Sequence, residues 1–146
     1  MSRIQVSIRR LVPTAQLPVR KTSGAAGYDL AYAGSVTQLV APGQRRLLPT
    51  GLAMAIPKGY VGVIKDRSGW ALSDGVSRRA GVIDSDYRGE VGVLIVNEGD
   101  EDVTINPGDR IAQILFCETP DVELCETDAL SDTVRSESGF GSTGKR

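Results

Sequence analysis

The stretch AGVIDSDYRGEVGVLIV, residues 80–96, predicts a β-hairpin. Two apolar runs flank a turn that contains aspartate, tyrosine and glycine, and acids with glycine are common turn residues. The second run, VGVLIV at 91–96, is apolar throughout, as expected of a strand covered on both faces by its own core or by another subunit. Turn chemistry alone explains the acids. However, Asp84 follows Gly-Val-Ile directly, which predicts a carboxylate against apolar surface that activates a water as general base.

Apolar residues at alternate positions recur on both sides of this hairpin and predict further strands. They occur at Ile4/Val6/Ile8, Leu52/Met54/Ile56, Val61/Val63, Val91/Val93/Ile95, Ile111/Gln113/Leu115 and Val122/Leu124. Turn signals rich in glycine, proline and aspartate separate these runs about every 8 to 12 residues, which is typical of a sandwich or barrel. The sequence therefore predicts an all-β fold. One short helix is expected within SGWALSDG at 68–75, with Ser68 as its N-cap.

The composition favours a single globular domain. The chain has 146 residues, and 17 basic against 18 acidic residues give a formal net charge of -1. The arginine pairs are scattered, so we expect no nucleic-acid partner. The first ten residues alternate in polarity, which predicts neither a signal peptide nor a membrane span. The apolar pattern is lost near Asp128, so we expect a β domain over 1–127 and a flexible C-terminal arm over 128–146.

The absence of histidine limits the chemistry that the chain can perform. It excludes Ser-His-Asp and Cys-His nucleophile pairs as well as histidine-ligated zinc sites. Acid/base chemistry must therefore fall to carboxylates. Two cysteines, Cys117 and Cys125, are too few for a disulfide framework or a cysteine-rich zinc site, and small buried thiols are the commonest explanation.

Two segments could bind an anion or a metal. In GAAGYDL, residues 24–30, small residues around Asp29 leave room for a ligand or for the water shell of a metal ion, although a glycine-rich turn explains the same letters. In DRSGWAL, residues 66–72, Arg67, the Ser68 hydroxyl and free backbone N–H groups outline an anion site at a helix start. An ordinary helix cap beside a surface arginine is the alternative.

The segment PGDRIAQILF, residues 107–116, adds two polar side chains on a strand. Arg110 and Gln113 are three residues apart and lie on opposite faces if the strand is regular. We therefore expect Arg110 to brace a carboxylate or another chain, and Gln113 to point into the site. An edge strand with two outward polar residues is the alternative.

The C-terminal RSESGFGSTGKR, residues 135–146, places one phenyl ring among glycines and hydroxyls. Arg135 could clamp a phosphate, Phe140 could stack on a base, and GFGSTG offers N–H groups and hydroxyls to phosphate oxygens. The segment therefore predicts a tail that orders over a bound nucleotide. An inert tail is the alternative.

In this order and spacing, AGYDL, RSG, GVIDSDYRG, GDRIAQ and R-x4-FGSTG resemble the five motifs of the trimeric dUTPase family, across about residues 24–144. The resemblance implies a jelly-roll-like β-clip fold, a homotrimer with shared active sites, and Mg²⁺-dependent hydrolysis of dUTP to dUMP and pyrophosphate. It also implies an intracellular enzyme, cytoplasmic or nuclear, that limits uracil incorporation into DNA and supplies dUMP for dTMP synthesis. Neither nucleic acid nor a membrane is an expected partner.

Carried onto the matching positions, the resemblance also implies residue roles. Asp84 would orient and deprotonate the water that attacks the α-phosphate, and Asp29 would help to hold Mg²⁺ through water. Arg110 would support the site from behind. The residues expected to bind substrate are Arg67, Ser68, Gly69, Gly81, Tyr87, Gly92, Gln113, Arg135, Phe140, Gly141, Ser142 and Thr143.

Within that set the resemblance separates base, sugar and phosphate contacts. Main-chain groups of Gly81 and Gly92 would pair with uracil, and Tyr87 would pack on the deoxyribose. Arg135 would hold the γ-phosphate and Phe140 would cap the base, while Ser142 and Thr143 would close over the phosphates. The tail would thus act as a lid, contributed to a neighbouring subunit's site.

The sequence departs from the family pattern at several positions. Asp66 stands where proline is common, Trp70 replaces a smaller aliphatic residue, and Ser136 with Glu137 replaces a glycine-rich start of the last motif. Arg78 and Arg79 also differ, and the resemblance gives them no role. Two other functions remain open: a dCTP deaminase, alone or combined with a diphosphatase, and a trimeric regulatory protein that binds the nucleotide but acts through a partner.

Overall fold

The computed structural model describes residues 3–137, which contain ten strands and one helix. The strands are β1 (Ser7–Arg10), β2 (Tyr28–Ala31), β3 (Gln38–Val40), β4 (Arg45–Ala55), β5 (Tyr60–Lys65), β6 (Val76–Arg79), β7 (Val82–Ile83), β8 (Glu90–Asn97), β9 (Val103–Ile105) and β10 (Arg110–Glu118), and helix α1 is Ser68–Asp74. Two antiparallel sheets of four strands have the orders β1-β4-β8-β6 and β2-β10-β5-β7, and β3 pairs with β9. The all-β prediction is confirmed.

Alternation along the strands builds the core. In β8, Val91, Val93 and Ile95 are buried, whereas the residues between them are only half-buried, so one face of this all-apolar strand is not fully covered by the chain itself. The core residues are aliphatic for the most part and come from both four-stranded sheets, from the β3–β9 pair and from Ile56 just after β4. They are Leu30, Val40, Leu48, Leu52, Met54, Ile56, Ile64, Ile105, Ile111 and Ile114, together with the β8 residues. Burial of this apolar surface is the main term that stabilises the domain.

Strand β10 lies between β2 and β5 and sets up a row of residues that matters for the site. Gln113 pairs with Asp29 on one side and with Lys65 on the other. At the start of β10, Arg110 pairs with Ala31, because a bulge between Arg110 and Ala112 shifts the register. Residues that face each other across antiparallel strands share a face of the sheet.

The bulge corrects one prediction. Asp29 and Ala31 are two residues apart and lie on the same face of β2, so their partners Gln113 and Arg110 also lie on one face. The prediction of opposite faces was wrong because it assumed a regular strand, and a bulge adds one residue to one partner only.

Helix α1 confirms the one expected helix but corrects its cap. Arg67, not Ser68, is the N-cap, with extended φ and ψ of -87° and 121° and no side-chain hydrogen bond to the helix. Gly75 ends the helix in the left-handed conformation, with φ of 67°. Glycine suits this position because it has no Cβ to clash there. Ser68 is therefore the first helical residue, and its hydroxyl is exposed.

Beyond β10 the described chain, residues 119–137, has neither strand nor helix and is exposed. The predicted strand at Val122/Leu124 was therefore wrong, since these side chains are 63% and 91% exposed and pair with no neighbouring strand. The division at residues 127 and 128 stays a prediction. Cys117 and Cys125 are both exposed, so the expectation of buried thiols was also wrong. Over residues 3–137, the only helix, α1, is too short to cross a lipid bilayer.

Candidate active site

Asp29 is the centre of an ion cluster with two arginines. Its Oδ2 lies 3.2 Å from Nη1 of Arg110, which donates a hydrogen bond to it, and its Oδ1 lies 3.7 Å from Nε of Arg67. The Arg67 guanidinium also donates to the Arg110 carbonyl at 3.1 Å. The Asp29 side chain is 16% exposed, while those of Arg67 and Arg110 are 31% and 42% exposed. Arg110 thus braces a carboxylate, and both guanidiniums keep donors that face solvent.

Gln113 lies next to this cluster on the same face of the sheet. Its Nε2 donates to the carbonyl of Asp66 at 2.9 Å. Its Oε1 packs against the backbone of Gly27, so closely that a Cβ added to Gly27 would come within 2.2 Å of that oxygen. Gly27 therefore leaves the space that the Gln113 amide occupies.

A cleft of about 460 Å³ borders the ion cluster, and we call it the arginine cleft. Its lining includes Arg67, Gly69, Trp70 and Arg110, together with Asp109 from the turn before β10. Ser68 and Gly69 are both exposed at its edge. A concave surface with two guanidiniums and little apolar lining suits an anionic group.

A second cleft, of about 330 Å³, lies against the hairpin between β7 and β8, and we call it the hairpin cleft. Gly81, Gly92 and Tyr87 line it, with Asp84 at its rim. Gly81 has φ of 112°, a conformation that favours glycine, and its carbonyl accepts a hydrogen bond from the Ile64 N–H at 2.8 Å. This bond continues the β5–β7 pairing and fixes the wall of the cleft.

Tyr87 and Asp84 occupy the turn of the hairpin. The Tyr87 hydroxyl donates to the Glu90 carbonyl at 2.9 Å, and its ring covers Gly89, where a Cβ would come within 2.4 Å of the hydroxyl oxygen. Asp84 follows β7 directly, and its carbonyl accepts the Tyr87 N–H at 3.2 Å. In the single chain Asp84 is exposed, and it lines the hairpin cleft beside apolar residues such as Val82 and Ile83.

The predicted site residues therefore fall into two groups. Asp29, Arg67, Ser68, Gly69, Arg110 and Gln113 lie together near the arginine cleft, and Gly81, Asp84, Tyr87 and Gly92 lie at the hairpin cleft. The two clefts share no lining residue. They are at opposite borders of β5, since β10 flanks one side of that strand and β7 the other.

The tail contributes little that can be placed. Arg135 lies within the described chain, in the exposed segment beyond β10. The predictions for Phe140, Gly141, Ser142 and Thr143 lie outside residues 3–137.

The donors available for a metal ion are few. Within residues 3–137, no three acidic or cysteine side chains come together as a metal-binding group. Both oxygens of Asp29 already face arginines, at 3.2 Å and 3.7 Å. Mg²⁺ usually keeps several waters and relies on one or two carboxylates with substrate phosphates. With both oxygens facing arginines, Asp29 would hold such an ion through water rather than directly.

Several residues near the clefts had no role in the sequence analysis. Gly27 makes room for Gln113. Asp66 contacts residues near both clefts, because its carbonyl accepts from Gln113 and its Oδ1 accepts the main-chain N–H of Arg78 at 2.8 Å. The sequence signal was present, since Asp66 and Arg78 are both departures from the resembled pattern. Trp70 is another, and it lines the arginine cleft.

Comparison with known proteins points to one family. A deoxyuridine 5'-triphosphate nucleotidohydrolase from Syntrophotalea carbinolica is 44% identical over 146 residues, which cover 99% of each chain. One from Beijerinckia indica is 50% identical over 132 residues, covering 88% of this chain and 82% of the relative. One from Corynebacterium diphtheriae is 48% identical over 142 residues, covering 95% and 92%.

Solved structures agree with these relatives. The Staphylococcus bacteriophage 80alpha dUTPase with dUPNHPP has a TM-score of 0.89 at 27% identity and covers 96% of this chain and 98% of its own. The likeness to dUTPases confirms the expected jelly-roll-like β-clip fold. A mutant dUTPase from phage phi11 of S. aureus, with a TM-score of 0.80 at 25% identity over 86% and 98% of the two chains, shows how a structural Mg(II) ion is coordinated. The dUTPase family model itself matches residues 14–144, and the chain therefore belongs to the dUTPase family.

Proposed function

We propose that the chain hydrolyses dUTP to dUMP and pyrophosphate, with Asp84 as the general base for a water that attacks the α-phosphorus. The observation that carries this proposal is the position of Asp84, a carboxylate at the rim of the hairpin cleft. Without histidine in the chain, a carboxylate is the available base. Relatives named deoxyuridine 5'-triphosphate nucleotidohydrolase support the substrate and the products.

The hairpin cleft is the proposed binding site for the base. Uracil offers two carbonyls and one ring N–H, which the main chain at Gly81 and Gly92 can pair with. Gly81 is fixed by its bond to Ile64, so the wall cannot easily adapt to cytosine, whose polar groups differ. A fixed hydrogen-bonding wall rejects a mismatched base because its buried groups would stay unpaired. Tyr87 is placed to pack on the deoxyribose, where a 2'-hydroxyl would meet its ring.

The ion cluster is the proposed binding site for the phosphates. Arg67 and Gln113 would bind phosphate oxygens along with Ser68 and Gly69 at the edge of the arginine cleft. Arg110 would act from behind by holding Asp29 at 3.2 Å. Fixed cations at the phosphates stabilise charge that develops on the leaving pyrophosphate, and they cost no reorganisation during the reaction.

Mg²⁺ is the proposed cofactor. When bound to the triphosphate it neutralises charge on the leaving group. Asp29 would reach this ion through water, which agrees with its engagement by two arginines. The Mg(II) ion in a phage relative supports the choice of metal.

A homotrimer with shared sites is the proposed assembly. One dUTP must contact both groups of residues, yet the two clefts have no residue in common within one chain. A second copy that brings its arginine cleft to the first copy's hairpin cleft would complete the site and cover Asp84. The C-terminal arm, with Arg135, Phe140, Gly141, Ser142 and Thr143, would then close as a lid. In the cell the activity would limit uracil incorporation into DNA and supply dUMP for dTMP synthesis.

A steady-state assay with dUTP, UTP, dTTP and dCTP tests the function. Pure protein with Mg²⁺ should release pyrophosphate from dUTP far faster than from the other three. Ammonia from dCTP would instead favour a deaminase. A protein that binds dUTP without releasing pyrophosphate would favour a regulatory role.

A further inference from the structure

Arg78 is an inward-facing charge on an edge strand. It pairs with Ile95, which is 1% exposed, and β6 is the outer strand of its sheet. Its side chain is 23% exposed, and it lines the hairpin cleft. A charged residue on the inner face of a strand costs desolvation energy, so its partners must compensate for that cost.

Its partners are Asp66 and the turn that follows β6. Oδ1 of Asp66 accepts the Arg78 N–H at 2.8 Å and lies 3.7 Å from Nε of the same arginine. Nη1 of Arg78 donates to the carbonyl of Ala80. Nε itself is buried and has no hydrogen-bond partner within residues 3–137. The guanidinium is therefore held between a carboxylate and a main-chain carbonyl.

The turn that Arg78 contacts has an unfavourable backbone conformation. Ala80 has φ of 57° and Gly81 has φ of 112°. Left-handed φ is costly for alanine, so outside contacts must keep this turn in place. The Arg78 guanidinium holds the Ala80 carbonyl on one side, and the Ile64 N–H holds the Gly81 carbonyl on the other.

Asp66 also connects this turn to Gln113 of the same chain. Its carboxylate holds Arg78, while its main-chain carbonyl accepts from Gln113 at 2.9 Å. One residue therefore touches the supports of both clefts. We call these contacts of Arg78 with Asp66 and with the Ala80 carbonyl the clamp.

We propose that Arg78 and Asp66 are positioning residues that hold the Ala80–Gly81 turn and thereby set the selectivity of the hairpin cleft for a uracil base. The inference rests on the proposed function, because it assumes that a pyrimidine nucleotide enters this cleft. Neither side chain needs to touch the reacting atoms. Their effect is to keep the Gly81 main chain in a fixed position.

Binding of dUMP, dCMP and tripolyphosphate to the full-length protein tests the proposal. Arg78→Met removes the hydrogen bond to the Ala80 carbonyl, so the turn is no longer held in the conformation that binds dUMP. Since dUMP must then restore that conformation, and the lost bond had a charged donor, its affinity should fall about tenfold or more. The ratio of dUMP affinity to dCMP affinity should also fall. The Gly81 wall of the cleft fits uracil and not cytosine, so dCMP loses less affinity than dUMP when the wall moves. Tripolyphosphate affinity should stay unchanged. Asp66→Asn should shift the same ratio in the same direction by a smaller factor.

Glu98→Gln is the matched control, because Glu98 pairs with Arg79, the neighbouring arginine of β6, outside the clamp. This variant should keep the wild-type ratios of dUMP affinity to dCMP affinity and of dUMP affinity to tripolyphosphate affinity. Unchanged dUMP selectivity in Arg78→Met, or equal losses for dUMP and tripolyphosphate, would overturn the proposal. If Arg78→Met does not fold, Arg78→Lys decides by the same ratio, since lysine keeps the charge but not the shape of the guanidinium. A wild-type protein that turns over no dUTP would overturn the proposed function instead, and the inference with it.

Discussion

Replacement of Gly27 by alanine tests whether the Gln113 amide is part of the phosphate site. A methyl group at this position would lie 2.2 Å from Oε1 and 3.0 Å from Cδ of Gln113. Gly27 does not have positive φ, so the alanine adds this contact and no backbone strain. The glutamine side chain must rotate away, and it then loses its bond to the Asp66 carbonyl.

The expected size follows from these two effects. A lost neutral hydrogen bond costs about 1 kcal/mol. A glutamine held about 30° from its rotamer adds roughly 1 kcal/mol more. The sum of about 2 kcal/mol would lower Tm by roughly 4 to 8 °C in a domain of this size. If the amide donates to a phosphate oxygen in the transition state, its displacement removes a hydrogen bond to a charged group, worth about 2 kcal/mol. This separate loss should lower kcat/KM for dUTP about thirtyfold, since 1.36 kcal/mol corresponds to a factor of ten.

Gly24→Ala is the matched control, because Gly24 belongs to the same segment but has no atom within 4 Å of its Cβ position. We expect its Tm to equal or slightly exceed the wild-type value, since alanine reduces the entropy of the unfolded chain. Thermal melts and steady-state pyrophosphate release would compare the two variants. A Gly27→Ala enzyme with wild-type kcat/KM would refute the role of the Gln113 amide, even if its Tm falls.

Three other changes probe the base, the arm and the surface charge. Asp84→Asn should retain binding of dUMP while kcat falls by about 10² or more, and near-normal turnover would remove Asp84 from its role as base. Deletion of residues 135–146 should leave Tm near wild type, because the described residues beyond β10, 119–137, are exposed, but it should lower kcat/KM. An unchanged kcat/KM would dismiss the lid. The hydrogen bond from Arg79 lowers the pKa of Glu98 below its usual value of 4.5, and a hydrogen bond from Ser77 adds to this effect. The Arg79–Glu98 pair therefore stabilises the fold at pH values above 4.5, and this stabilisation is lost as the pH falls through the lowered pKa. Glu98→Gln should therefore have a lower Tm than wild type near neutral pH and an equal Tm in strong acid, and a difference that persists in acid would contradict this reasoning.

The hairpin was predictable because its signals are local. Residues 80–96 combine apolar alternation with turn residues, and these patterns depend on the period of a strand rather than on distant contacts. The same holds for the end of β4 and the start of β10, where turns with proline and glycine at 57–59 and 107–109 interrupt the apolar pattern. Val122/Leu124 shows the limit of this reasoning. Two alternate apolar residues form a strand only if another strand pairs with them, and no strand in the described chain does so.

Geometry that depends on register was not predictable. Arg110 and Gln113 share a face because of a bulge, and no residue type in GDRIAQ signals an extra residue there. The cap at Arg67 likewise depends on backbone angles rather than on the preference of Ser68 for that position. The clamp joins Asp66, just after β5, to Arg78 in β6, 12 positions along the chain and in the other sheet, so only the folded chain brings them together.

Hydrolysis of dUTP in oxygen-18-labelled water tests the central claim most directly. If the water aligned by Asp84 attacks the α-phosphorus, mass spectrometry of the products should find the label in dUMP and none in pyrophosphate. Label in pyrophosphate would mean attack at the β-phosphorus, and it would contradict the account.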